Sequence, residues 1–207
     1  MRAVPAQELE DWIATGETLE RDGRGPKVVM LEGEGEGLFL KIFHTRRPAW
    51  QTRLRPPALR FARNAKALRA RGIFAPEVTE CLWLDQSRGL SACLYRPLPG
   101  ISLERLLRQD PAAIPLLLPD LARFIRTLHV GGIYFRSLHL GNILALDPGQ
   151  TEDARHFGLI DILDLECFRR PLGPWRIHRN FRHLRRSLAR RALDFPIGEL
   201  RRLYDAA

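Results

Sequence analysis

The sequence predicts a mixed α+β chain whose first half is rich in strands and whose second half is helical. Three observations carry that expectation. Apolar runs separated by glycine and proline turns fill the chain up to about residue 95. A short apolar hairpin returns between residues 143 and 160, and helical spacing of Leu and Phe marks the chain beyond residue 101. With 207 residues there is enough chain to bury a substantial core, as one compact domain or one two-lobed unit.

Taken in order, residues 1–12 are polar and acidic and lack the apolar centre of a signal peptide. Strands are predicted at residues 18–20, 27–32 and 38–43, with turns at 22–26 and 33–37, a meander carrying Lys41 on its third strand. Residues 46–57 read as an arginine- and proline-rich link into a helix over 58–71, followed by strands at 78–84 and 90–95. The run Arg96-Pro97-Leu98-Pro99-Gly100 breaks all periodicity and reads as a hinge. It divides a β-rich small lobe, residues 1–95, from a helical large lobe, residues 101–207. Ser102 opens the large lobe as the cap of a helix. Leu117, Leu121, Phe124, Ile125 and Leu128 then share one helical face leading to Gly131 and Gly132. Strands at 143–146 and 157–160 flank a turn at 147–150. Between Arg169 and Arg202 there are eleven arginines, and Phe181, Leu184, Leu188 and Ala192 form an apolar stripe on a basic amphipathic helix.

Net charge narrows the partners. A formal +9, almost all of it arginine, implies an anionic partner: nucleotide, phosphorylated glycan, anionic membrane surface or nucleic acid. Nucleic acid is disfavoured, because the arginines gather near the carboxyl end with few interleaved aromatics and no recognisable motif. The basic helix suits an anionic bilayer surface or glycan. Any membrane role is peripheral, since the richest apolar stretch, residues 112–118, is too short to span a bilayer and contains Pro115. Cys81, Cys93 and Cys167 are odd in number and lack metal-type spacing, which argues against a disulfide framework or zinc site and for a reducing cytoplasm.

The chemistry sits in two places. Lysine occurs only at positions 27, 41 and 66, so an ammonium retained inside the apolar run Leu38-Phe39-Leu40-Lys41-Ile42-Phe43 is notable. A compact point charge suits a phosphate oxygen, and burying it without an anion is costly. Farther on, pairing the strands at 143–146 and 157–160 as a hairpin puts Asn142 just before one and Asp161 just after the other. An amide oxygen beside a carboxylate is a donor set for Mg²⁺, which takes one or two carboxylates plus substrate phosphates.

In that order and spacing the sequence resembles the protein-kinase-like superfamily, and within it the lipopolysaccharide core kinases of the Kdo/WaaP group and small sugar or antibiotic kinases. The resemblance spans about residues 18–164 and is most specific from Gly132 to Leu144, where the family carries His-x-Asp-x-His-x-Gly-Asn. It implies a two-lobed α+β kinase-like fold with ATP and Mg²⁺ as cofactors. Lys41 would meet the α- and β-phosphates under a loop carrying Gly23 and Gly25, while Asn142 and Asp161 would hold the metal. The implied activity is ATP-dependent transfer to a sugar hydroxyl of lipopolysaccharide core or a similar envelope glycan, in the cytoplasm or peripherally at the inner membrane. Ser137 and His139 fall at the catalytic positions. The departures are specific: Phe135-Arg136-Ser137 replaces His-x-Asp, Asn64 stands where the helix would offer a glutamate to the lysine, and Ile162 and Leu163 follow Asp161 without the usual glycine. Asp164 and Glu166 lie close enough in sequence to supply a displaced carboxylate. The alternative implied by these losses is a pseudokinase, a nucleotide-responsive or structural partner in envelope assembly.

Overall fold

The structure, a computed structural model, describes residues 1–31, 37–44, 47–146 and 157–207. Glu32, Arg46, most of the expected turn at 33–37 and all of the turn at 147–150 lie outside the described residues. The chain divides into two compact units, Met1–Lys66 with Pro76–Pro97, and Ala67–Ala75 with Leu98–Ala207.

In the first unit come β1 (Arg2–Ala3), α1 (Ala6–Thr15), β2 (Glu17–Asp22), β3 (Gly25–Leu31), β4 (Leu38–Phe43), α2 (Ala49–Leu54), α3 (Pro57–Arg69, whose last turn belongs to the second unit), β5 (Glu77–Asp85) and β6 (Leu90–Arg96). One six-stranded sheet runs in the order β1-β5-β6-β4-β3-β2, antiparallel except for the parallel β1–β5 pair. Both of its faces are covered, and successive side chains of β4 therefore enter different cores. Leu40 and Ile42 join Val29, Leu82, Ala92 and Leu94 against Leu9, Trp12 and Ile13 of α1. On the other face Phe43 packs 5.6 Å from Phe61 of α3, and Phe61 lies 5.9 Å from Tyr95 (ring centroids).

α1 and α2 are absent from the sequence-based expectation. Leu9, Trp12 and Ile13 do carry i, i+3, i+4 spacing, but over one short segment dominated by acids, so the helix owes its stability to the sheet beneath it. α2 hides in the arginine- and proline-rich link because Pro48 lies just before its first residue, where a helix tolerates the missing N–H.

The second unit contains β7 (Ile101–Ser102), α4 (Leu103–Gln109), α5 (Ala113–Val130), β8 (Ile133–Phe135), β9 (Ile143–Ala145), β10 (Phe157–Leu159), β11 (Leu165–Cys167), α6 (Pro174–Arg190) and α7 (Ile197–Ala206). Ser102 caps α4, its Oγ accepting from the Arg105 amide at 3.3 Å. β10, β9 and β7 form one small antiparallel sheet, and β11 pairs with β8. Residues 67–75 join this unit through Phe74, which bridges Gly158 and whose carbonyl accepts from the Leu159 amide at 2.9 Å. The core is helical: Leu118, Leu121, Ile125 and Leu128 of α5 are buried with Leu200 and Tyr204 of α7.

The apolar stripe of α6 is part of that core. Phe181, Leu184 and Leu188 are 7%, 1% and 6% exposed, so this face is unavailable to a bilayer. Ala192 does not continue the stripe. The helix ends at Arg190, and Ala192 lies beyond it, exposed and at φ 49°, in the left-handed region that commonly closes helices.

Gly132 tests how tightly the start of β8 is held. Its φ is +71°, and a Cβ there would stand 2.5 Å from the Phe168 carbonyl oxygen and 2.6 Å from that of Arg170. Gly132→Ala should lose at least about 2 kcal/mol in chemical denaturation, combining left-handed strain with a backbone clash. Gly23→Ala, where a Cβ meets nothing within 4 Å, should stay within about 0.5 kcal/mol of the parent.

Candidate active site

In the first unit Lys41 is central to β4, paired with Val28 on one side and Cys93 on the other. It is 9% exposed, and its ammonium lies 5.7 Å from the centroid of Phe61. Asn64, also buried, follows Phe61 by three residues, hence on the same face of α3. Gly23 lies in the two-residue turn between β2 and β3, and Gly25, at φ +124°, closes it opposite Asp22. The turn is three residues from Val28, roughly 10 Å along the strand from the level of Lys41.

The second unit brings the remaining residues together around one loop. Phe135 ends β8, and the chain turns through Ser137 and His139 to Asn142, which precedes β9. The Asn142 carbonyl accepts from the Ile160 amide at 3.0 Å, and Asp161 follows that residue, two positions past the end of β10. Asn142 is buried, and its Nδ2 donates to the Ser137 carbonyl at 3.2 Å, which leaves Oδ1 as the amide atom suited to a cation. Asp161 is exposed and adopts φ 51°, ψ 44°, uncommon for a non-glycine residue. One carboxylate and one amide oxygen fit Mg²⁺ that draws its other ligands from phosphates and water. No group of three or more His, Cys, Asp or Glu side chains that could hold a metal exists among the described residues. That composition suits a hard cation bound together with substrate better than a protein-only cage.

His139 has a defined local task. Its Nδ1 accepts from the Gly141 amide at 3.1 Å, capping the short helical turn at Leu140–Asn142. Burial pushes its pKa down to about 4, with Arg191 and His183 acting in the same direction, so the ring is neutral and its accepting nitrogen is already used.

The other end of the loop is anchored by groups that no local pattern announces. Asn180 of α6, 1% exposed, donates through Nδ2 to the Phe135 carbonyl at 2.8 Å. Its Oδ1 accepts from His129 Nε2 on α5 at 3.1 Å, and His129 Nδ1 accepts from the Tyr204 hydroxyl on α7 at 2.9 Å. Burial lowers the His129 pKa to about 4, which keeps the imidazole neutral with its proton on Nε2.

Beside Ser137 opens a cavity of ≈ 510 Å³. Its walls include Tyr134, Arg136 and Asp164, and one face of α6 bearing Trp175, His178, Arg179, Arg182, His183 and Arg186. Leu165 pairs with Phe135, so Asp164 and Arg136 are the residues next to that last pair of the ladder. Asp164 Oδ1 is buried and, among the described residues, has no hydrogen-bond partner. Spacing does announce this face, because residues 175, 178, 182 and 186 recur every three or four positions. What it faces is a tertiary matter.

Among solved structures the chain is similar to WaaP in complex with acyl carrier protein, at 18% identity over 100% of this chain and 88% of that one, TM-score 0.59. It is similar to an aminoglycoside-3'-phosphotransferase of type VIII at 18% identity over 94% and 90% of the two chains, TM-score 0.66. A third likeness is to the Rio2 kinase-ADP/Mg²⁺-phosphoaspartate complex from Chaetomium thermophilum, at 19% identity over 95% and 64%, TM-score 0.55. A comparison with curated proteins returned no match. These likenesses define a protein-kinase-like α+β fold. The sequence matches the phosphotransferase enzyme family (APH) over residues 18–191, and the chain belongs to that family.

The His129 link makes stability pH-dependent with a definite sign. Above about pH 6.5 the imidazole is neutral in folded and unfolded chains alike. Below that, the unfolded chain takes up a proton that the folded one refuses until about pH 4. Stability should therefore fall as pH drops through this window, by on the order of 3 kcal/mol at its acid end. Denaturation midpoints from pH 7.5 to 4.5 should slope less steeply for His129→Gln than for the parent.

Proposed function

We propose that the chain is a nucleotide-dependent phosphotransferase that phosphorylates a sugar hydroxyl, of lipopolysaccharide core or a similar envelope glycan. The observation that carries the reading is the hairpin end at which the Ile160 amide donates to the Asn142 carbonyl, so that Asn142 and Asp161 fall within one residue of each other across the β9–β10 pair, in a chain of the phosphotransferase enzyme family. Bound Mg-ATP would supply the phosphoryl group and a charge-bridging cation. The chain's own part is positioning and neutralisation, which carry most of the work in phosphoryl transfer. Lys41 offers the buried ammonium for the nucleotide phosphates, with the turn of Gly23 and Gly25 as the expected phosphate loop, and Asn142 and Asp161 are the metal ligands. Asp164 takes the role that position 137 has lost, that of accepting the acceptor hydroxyl's proton. Its buried unpartnered oxygen in the cavity beside Ser137 supports this assignment over His139, whose accepting nitrogen caps the loop.

A second reading has its own observation. With Ser137 in place of a loop carboxylate and Asn64 buried in place of glutamate, a pseudokinase in envelope assembly would bind nucleotide without turning over. Association with an anionic inner-membrane surface would rest on the exposed arginines alone, because the apolar face of α6 is buried. No helix among the described residues is long and apolar enough to cross a membrane.

Mg-ATP at millimolar concentration should raise the thermal midpoint through binding to the native state. Asp161→Ala should remove the magnesium-dependent part and Lys41→Ala most of the nucleotide effect; a folded parent with no shift would exclude a nucleotide site. With labelled ATP and core-sugar acceptors, Asp164→Asn should lower turnover about 10²–10⁴-fold while leaving the Mg-ATP shift intact. Nucleotide binding with no transfer to any acceptor would favour the pseudokinase.

A further inference from the structure

The geometry points to a phosphate-bearing saccharide as the acceptor, held in the cavity beside Ser137. The inference rests on the phosphotransferase reading and adds to it the chemical class of the molecule that receives the phosphoryl group.

Three features of the cavity wall argue together. Arg136, Arg179, Arg182 and Arg186 bring four guanidinium groups to one ≈ 510 Å³ space that contains a single carboxylate, Asp164. Among the described residues none of the four forms an ion pair, whereas Arg108, Arg123, Arg191, Arg201 and Arg202 of the same unit each find an acidic partner. The countercharge for the cavity is therefore available to a ligand. Guanidinium forks match phosphate oxygens in pairs, which is the recognition that lysine performs poorly and that this arginine-dominated chain is equipped for.

The second feature is Trp175, 63% exposed at the cavity edge, with the Arg179 guanidinium stacked 5.2 Å from its ring centroid. An exposed indole pinned by a cation offers a flat apolar platform, and the C–H face of a sugar ring is the complementary surface. The third is the Asp164 oxygen, buried without a partner, which needs a hydrogen-bond donor such as a hydroxyl. Anion, ring face and hydroxyl describe a sugar phosphate. A polyamine acceptor would meet four like charges, and a neutral sugar would leave them unanswered. The size lies in the range of small-molecule sites.

Isothermal titration of the full chain with glucose 6-phosphate, glucose, inorganic phosphate and the polyamine kanamycin tests the class. Glucose 6-phosphate should bind most tightly. The double change Arg179→Gln with Arg182→Gln, both exposed positions, should weaken it about tenfold or more, and Trp175→Ala should weaken glucose 6-phosphate but not inorganic phosphate. Phosphatidylcholine vesicles with and without lipid A, a lipid-borne phosphosaccharide, give the second arm. Binding to free glucose 6-phosphate alone, or to lipid A vesicles alone, assigns the source and supports the class. Overturning results are binding of neither, binding of kanamycin in preference, or equal affinity for phosphate and glucose 6-phosphate that ignores Trp175→Ala. The Mg-ATP thermal shift, measured on the same variants, keeps the two readings apart. A retained shift with no anion binding sinks the acceptor class alone, whereas anion binding without any shift sinks the nucleotide reading and with it the acceptor role, leaving only a phosphosaccharide-binding cavity.

Discussion

One buried amide holds the second unit in register. Asn180 is the single residue through which α6 grips both the end of β8 and the imidazole of α5, and it does so with every polar atom of its side chain engaged. A buried polar group is costly unless its partners are all present, so the chain Phe135–Asn180–His129–Tyr204 tolerates only one arrangement of three helices and a strand. The loop that begins at Phe135 inherits its position from that constraint, and so does the cavity, whose floor is the loop and whose wall is the opposite face of α6.

α6 shows how one helix serves two masters. Its apolar residues are buried with those of α5 and α7, and the arginines a few positions away line the space beside Ser137. Read from spacing alone, such a helix is indistinguishable from one that lies on a membrane, because amphipathicity states that two faces differ and not what each one meets. The decisive information is the burial of Phe181, Leu184 and Leu188 against their own unit.

The parts legible in sequence are those governed by neighbours in the chain. The turn-bounded apolar runs identify β3 to β6, and the pairing of β9 with β10 as a hairpin is legible in the same way. Lys41 stands out because β4 is apolar on both faces, which follows from a sheet covered by α1 on one side and α3 on the other. The illegible parts depend on distant partners. His129 meets Asn180 across 51 positions and Tyr204 across 75, and nothing in the flanking residues marks any of the three. Asp164 reads as one of two acids closely following Asp161 until the β8–β11 ladder brings it to the cavity that Arg136 also lines. α1 is a further case, a weak helix by composition that its packing partners complete.

The bridge between Phe74 and Gly158 has a consequence for the order of assembly. Residues 67–75 are sequence neighbours of the first unit but structural members of the second, and their strand-like segment finds its partner more than eighty positions later. During synthesis from the amino terminus the first unit can gather its sheet once Pro97 has emerged, yet the tail of α3 and the segment after it must wait for β10. Severing the chain after Pro97 would therefore strand Phe74 without the backbone it pairs with. The small unit is a folding neighbourhood interrupted by a borrowed segment, and the borrowed segment ties completion of the large unit to a helix that starts in the small one.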